Sequence, residues 1–197
     1  MQQISLMGFE SPKPATDRLF FALFPPTDVA ASISSQLHQV CESSGIYGRA
    51  VSTERLHLTL HHVGDFSGLL ADTLRQAVNV GDALAASPVE LTLNKISCFD
   101  SNQRKPMLVL TGGDNEALRG LQQQLLQCLA RHLPRFKPST NFTPHVTMLY
   151  GDPAQGSIRH AEQIIEPIRW QATEVVLVHS LLGKTEHRHL ARWPLRN

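Results

Sequence analysis

Cysteine is scarce in this 197-residue chain. The three present, Cys41, Cys98 and Cys128, are odd in number, far apart and without a C-x-x-C, which argues against a disulfide framework or a structural zinc site and fits a reducing cytoplasm. Long apolar runs are also missing. The longest near the start, Leu19 to Phe24, is far short of a membrane span, and no basic stretch followed by an apolar one opens the chain, so neither a signal peptide nor an anchor is expected. Excess charge of one sign is absent: the formal net charge is +1, so no global field recruits a polyanion, although a local basic patch can still meet phosphates. Low-complexity tracts and short-period repeats are absent too. What remains, 42% hydrophobic and 18% charged, is the composition of a soluble globular protein with ample length for one core.

The apolar residues that are present fall into short periods. Arg18 to Phe24 reads as a central strand stopped by Pro25-Pro26, after a flexible lead-in over residues 1–17. A helix follows, capped by Thr27, with Val29, Ile33, Leu37 and Val40 on one stripe and Gly45 as its end signal. Leu56 to Val63 reads as a strand closed by Gly64-Asp65. A second helix is expected over 69–84 with Leu70, Leu74, Val78 and Leu84 inward and Gly81 weakening its last turn. Val89, Leu91 and Leu93 alternate, but the phase switches at Ile96, which predicts a bulge near Asn94-Lys95. Met107 to Leu110 is a short buried strand, and Asp114 caps a third helix whose leucine stripe runs from Leu118 to Leu133. Strands at 145–148, 175–182 and 189–195 complete the order. The expected fold class is α+β, one bilobal duplicated domain over residues 18–197 with two antiparallel sheets facing a central cleft and helices outside.

Two strands carry the chemistry: His57-Leu58-Thr59-Leu60 and His145-Val146-Thr147-Met148. Side chains alternate along a strand, so each presents an imidazole and a hydroxyl on one face. Facing one another, the pairs would supply two proton-transfer groups and two hydrogen-bond donors, which is what cleaving a phosphodiester without metal requires. With ten histidines and twelve threonines, chance supplies roughly 0.6 H-x-T triplets, so strand context and similar placement in both halves carry more weight than the pattern.

With its neighbours, the double motif resembles the 2H phosphoesterases, in particular the RNA 2′,3′-cyclic phosphodiesterases also called 2′-5′ RNA ligases. Arg18-Leu19-Phe20-Phe21-Ala22-Leu23 is similar to that family's first strand, the two H-x-T stretches to its signatures and Arg192-Trp193-Pro194-Leu195 to its ending. The resemblance implies opening of a 2′,3′-cyclic phosphate on RNA ends or small nucleotides to a 2′-phosphomonoester, with no cofactor, and reversible 2′-5′ ligation by the same geometry. It implies His145 as base for water, His57 as acid on O3′, and Thr59 and Thr147 as donors to the phosphate oxygens. A monomer with no membrane partner is expected. A non-catalytic nucleotide-binding module and a metal-dependent phosphoesterase are the alternatives.

Two positions depart from the family. Where relatives often place Arg, three positions beyond the second Thr, this chain has Tyr150, and the sequence does not identify a substitute. The first motif continues His61-His62, and strict alternation puts His61 on the side of His57, which makes it, with Tyr150, a candidate pocket residue against the commoner reading of a satisfied strand histidine. His179 reads as a buried, hydrogen-bonded histidine. His187 and His189 form an H-x-H with no acidic or thiol cluster beside it. Arg104, Lys105, Arg131, Arg135 and Lys137 are candidates for RNA phosphates, and Phe20, Phe21 and Phe142 for base stacking, against solvated-face and core readings.

Overall fold

The computed structural model describes residues 13–99, 105–133, 141–152 and 156–196. Its first strand, β1 (Asp17–Leu23), shows why the opening run is apolar throughout: it lies inside the sheet and is buried on both faces. Leu19, Phe21 and Leu23 point into the main core, whereas Phe20 and Ala22 belong to a smaller apolar cluster with Val176 and Val178 on the other face.

After β1 come α1 (Thr27–Ser44), β2 (Gly48–Ala50), β3 (Leu58–Phe66), α2 (Ala71–Asp82), β4 (Val89–Phe99), β5 (Met107–Thr111), α3 (Glu116–His132), β6 (Val146–Gly151), β7 (Glu162–Ala172), β8 (Glu174–Leu181) and β9 (Glu186–Pro194). The fold is α+β, with every strand pair antiparallel. Strand order is β7-β4-β5-β6-β3-β1-β8-β9, with β2 added alongside β6. The two expected sheets are therefore hydrogen-bonded edge to edge, but only through one residue pair, Leu58 opposite Val146. Each half repeats one plan. A strand, a helix and an H-x-T strand follow in order, as β1-α1-β3 and as β5-α3-β6, and two outer strands extend each half away from the junction.

Because β3 begins at Leu58, the edge of β6 past Val146 has no β3 partner and is taken by β2, with Arg49 opposite Tyr150 and Ala50 opposite Leu149. Val51 N–H continues the pairing to Met148 O at 2.8 Å. Backbone groups on β6 are thus satisfied where the halves part. Helices α1 and α3 bury Ile33, Leu37, Val40, Leu118, Leu121, Leu125 and Leu129 in one core with the sheet. Each such side chain contributes about 1.5–3 kcal/mol by leaving water.

Several local expectations change. Thr27 is the first residue inside α1 and Pro26 the N-cap, while Gly45 does end the helix in a left-handed conformation (φ 60°). Helix α3 is capped by Asn115, whose side chain accepts from Leu118 N–H at 2.9 Å, while Asp114 pairs with Arg119. Helix α2 packs Leu74 and Val78, with Leu84 beyond its end, against the core as expected, and Ala77, Val80 and Gly81 are its buried positions; Leu70, however, is the N-cap and 67% exposed. Gly81 is not a weak link there, because a Cβ would sit 2.2 Å from the Trp193 ring, whose Nε1–H donates to Asp82 at 2.7 Å. The predicted bulge is present as a register break between Leu93 and Lys95 opposite β7. Strands β2 and β7 add to the order expected from sequence.

Candidate active site

The histidines stand at the junction of the halves, one residue before each member of the Leu58–Val146 pair. Leu58 and Val146 are fully buried towards the core, so the flanking side chains His57, Thr59, His145 and Thr147 project to the opposite face and line one cleft. Antiparallel order around that pair sets His57 beside Thr147 and His145 beside Thr59. Each imidazole therefore neighbours the other motif's hydroxyl.

Both rings are held by the same local device. His57 Nδ1–H donates to the carbonyl of Arg55 at 2.7 Å, and His145 Nδ1–H to that of Thr143 at 2.7 Å, in each case two residues back along the chain. A carbonyl can only accept, so Nδ1 carries a proton in both and Nε2 is the atom left for proton exchange. The carbonyls are in place because a 3₁₀ turn, Thr53–Arg55, precedes β3 and Pro144 fixes the entry to β6.

The surroundings of the two rings differ. His57 stacks on Phe20 with ring centroids 4.9 Å apart and 27° between planes, lies 5.6 Å from Phe24, and receives His187 edge-on at 5.3 Å. Burial, reinforced by the charges of Arg55, His145 and His189, pushes the His57 pKa down to about 4. His145 lies 4.9 Å from the Phe99 ring. His187 accepts from Arg55 Nη2 on its Nε2 at 3.2 Å, and burial next to His57 and Arg55 brings it to about 3. Arg55 thus serves His57 twice, through its carbonyl and through the imidazole that it holds against the ring.

His61 does not line the cleft. In the β1–β3 register Ala22 pairs with Thr59 and Phe21 with His61, leaving Leu60 unmatched. That bulge reverses the alternation, so His61 is buried at 9% exposure and His62 takes the cleft face. The second motif has the same irregularity: Val109 pairs with Thr147 and Leu108 with Leu149, leaving Met148 unmatched. Tyr150 is therefore brought to the cleft face, at the place equivalent to His62. Burial lowers His61 to about 4, and His62 bonds Asp65 at 2.8 Å. Arg18, with two bonds of 2.7 Å to Asp65, holds that carboxylate down at about 2.

The cleft encloses about 600 Å³ and carries Arg18, Arg49 and Arg55 against one carboxylate, Asp65. A basic, partly apolar hollow with hydroxyls at its base suits an anion attached to a flat group. Sequence pattern did not reveal Arg49, Arg55 or His187 as cleft residues, since each arrives from a different strand or turn. Phe20 lines the cleft, whereas Phe21 is core and Phe142 packs against it. Lys105 and Arg131 are exposed away from the cleft, and Arg104, Arg135 and Lys137 lie outside the described residues. His179 pairs with Asp17 at 2.5 Å on the face away from the histidine pair. Among the described residues no three His, Cys, Asp or Glu side chains are gathered to hold a metal ion, and no helix is long and apolar enough to cross a membrane.

An α+β fold whose halves each deliver a histidine and a threonine to a shared basic cleft defines the two-histidine class of phosphoesterases and RNA ligases. The chain belongs to the 2′-5′ RNA ligase superfamily, whose sequence model matches residues 25–184. Solved structures share the fold. TT0787 of Thermus thermophilus superposes with a TM-score of 0.71 at 23% identity, over 91% of this chain and 98% of that one. LigT of E. coli complexed with phosphate gives 0.66 at 22% identity, over 93% and 100%. LigT complexed with 3′-AMP gives 0.65 at 23% identity, over 92% and 99%. No curated protein sequence matches significantly.

Proposed function

We propose that this protein is an RNA 2′,3′-cyclic phosphodiesterase that opens the cyclic phosphate to a 2′-phosphomonoester, with 2′-5′ ligation as the same displacement of O3′ made by an RNA 5′-hydroxyl in place of water. The observation that carries this reading is the crossed arrangement of two Nδ1-anchored histidines and two threonines on one face. Water attacks phosphorus in line with the P–O3′ bond. One Nε2 takes a proton from the water while the other gives a proton to O3′ as the bond breaks, and the threonine hydroxyls donate to the nonbridging oxygens as their charge rises. Structures of LigT with phosphate and with 3′-AMP support a phosphate-bearing nucleotide as the ligand class.

The surroundings of His57 favour one order of roles. Held near 4, His57 is neutral at pH 7 and suits the base, which leaves the acid to His145. This reverses the order implied by the resemblance and rests on the apolar sheath around His57. It has a consequence for pH. A base must be deprotonated, so its acid limb falls at its own pKa. The acid limb of kcat/KM, which reports the free enzyme, is expected near pH 4 instead of at the ordinary histidine value of about 6.5. A limb near 6.5 would show that His57 is not held low and would remove the ground for this order; the order itself is tested by a leaving group that needs no proton.

The reaction itself is tested by incubating the protein with a 2′,3′-cyclic nucleotide in EDTA and separating 2′- from 3′-phosphate. The expected product is the 2′-phosphate at an undiminished rate. Tight binding without product would favour the binding module, and loss of turnover restored by added metal would favour the metal-dependent alternative.

A further inference from the structure

The three guanidinium groups of the cleft are not equally engaged. Arg18 is committed to Asp65 by two bonds, and Arg55 to His187. Arg49 is held differently. Its guanidinium lies 5.7 Å from the centroid of the Tyr150 ring, its cross-strand partner, and Nη1 reaches over the cleft to the Thr185 hydroxyl at 3.4 Å. Stacking on a ring neutralises no charge and leaves the edge N–H groups available to an anion.

Thr185 is the second observation. It lies in the turn between β8 and β9, and among the described residues it is the only non-glycine with positive φ, at 58°. A β-branched side chain is strained there, where glycine or asparagine would be relaxed, and such strain concentrates where a side chain is put to use. The hydroxyl so presented faces Arg49 across the cleft mouth.

Position separates this pair from the reacting phosphate. Phosphorus must sit among His57, His145, Thr59 and Thr147, whereas Arg49 stands opposite Tyr150, three residues beyond Thr147 and so about 10 Å further along β6. We propose that Arg49 and Thr185 form a second phosphate subsite, which holds the phosphodiester adjoining the terminal cyclic phosphate and so selects RNA oligonucleotide ends over cyclic mononucleotides. The inference rests on the phosphodiesterase reading above. It also supplies a guanidinium to the neighbourhood where Tyr150 stands in place of the family's arginine, delivered from the paired strand and aimed at a different phosphate.

The test compares a 2′,3′-cyclic mononucleotide with a dinucleotide ending in the same group, and with that dinucleotide carrying a neutral methylphosphonate linkage. Wild type is expected to favour the charged dinucleotide by about tenfold or more in kcat/KM. Arg49→Gln should remove that preference, chiefly through KM, with a markedly smaller loss on the mononucleotide, and an unchanged thermal melting midpoint shows that the variant is folded. Its salt slope on the dinucleotide should fall by about 0.7, one single-strand phosphate contact. Thr185→Gly, which removes the hydroxyl and relaxes the backbone, should lose part of the same preference. The methylphosphonate should cost wild type as much as Arg49→Gln does and cost the variant nothing further. Equal losses on mononucleotide and dinucleotide would place Arg49 at the reacting phosphate and overturn the subsite. So would no loss on either. Failure of wild type to open any of these substrates would overturn the phosphodiesterase reading and the subsite with it.

Discussion

Replacing His57 or His145 by alanine should lower kcat on a 2′,3′-cyclic nucleotide by about 10²–10⁴-fold, the usual worth of a positioned acid or base. KM should change much less, because neither Nε2 carries ground-state affinity. The two losses are equal in kind with the natural substrate, and a pH profile alone does not say which ring takes the proton and which gives it, since the two assignments share one net protonation state. A leaving group that needs no proton separates them. With sulfur in place of the bridging O3′, the departing thiolate is stable enough to leave unaided, so the acid becomes dispensable and the base does not. His145→Ala should then recover most of its deficit, and His57→Ala little. The opposite pattern would restore the order implied by the resemblance and would mean that a bound phosphate overrides the apolar sheath around His57. Near-normal turnover of the natural substrate by both variants would remove the acid–base mechanism altogether.

The parts of this architecture that follow local periodicity were legible in the sequence: the core strand at Leu19–Leu23, the leucine stripe of α3, the phase break near Asn94 and the shared face of each His-x-Thr pair. What was hidden depends on partners far away in the chain. β2 is Gly-Arg-Ala, all exposed, with no alternation to read, and it is a strand only because β3 leaves the edge of β6 open. β7 places Ile164 outward and Ile165 inward and contains Pro167, a pattern that an edge strand tolerates. The bulges at Leu60 and Met148 carry no residue signature, so alternation sent His61 to the cleft when the backbone sends His62. The same tertiary logic brings Arg55 and His187 together, 132 positions apart in sequence, against the His57 ring that the motif singled out at once.

The threonines offer the second large effect, and here the substitution can be chosen so that a structural role and a chemical role predict opposite signs. Valine keeps the shape of threonine and is at least as good in a strand, whereas serine keeps the hydroxyl and fits a strand less well. If Thr59 and Thr147 are present to hold β structure, Thr→Val should be silent and Thr→Ser harmful. If each hydroxyl donates to a phosphate oxygen as negative charge builds, Thr→Val should cost about 10²–10³-fold in kcat, as removal of a preorganised donor does, and Thr→Ser should retain most of the rate. Thermal stability should barely respond, since both side chains are only half-buried at the cleft. The crossed geometry adds a finer expectation. Thr147 lies beside His57 and Thr59 beside His145, so removing a threonine also disturbs the histidine of the other motif. Combining Thr147→Val with His57→Ala should therefore cost less than the product of the two single losses. The uncrossed combination, Thr147→Val with His145→Ala, should come closer to multiplying. Equal coupling in the two combinations would mean that the four side chains act as one unit around phosphorus and not as two diagonal pairs.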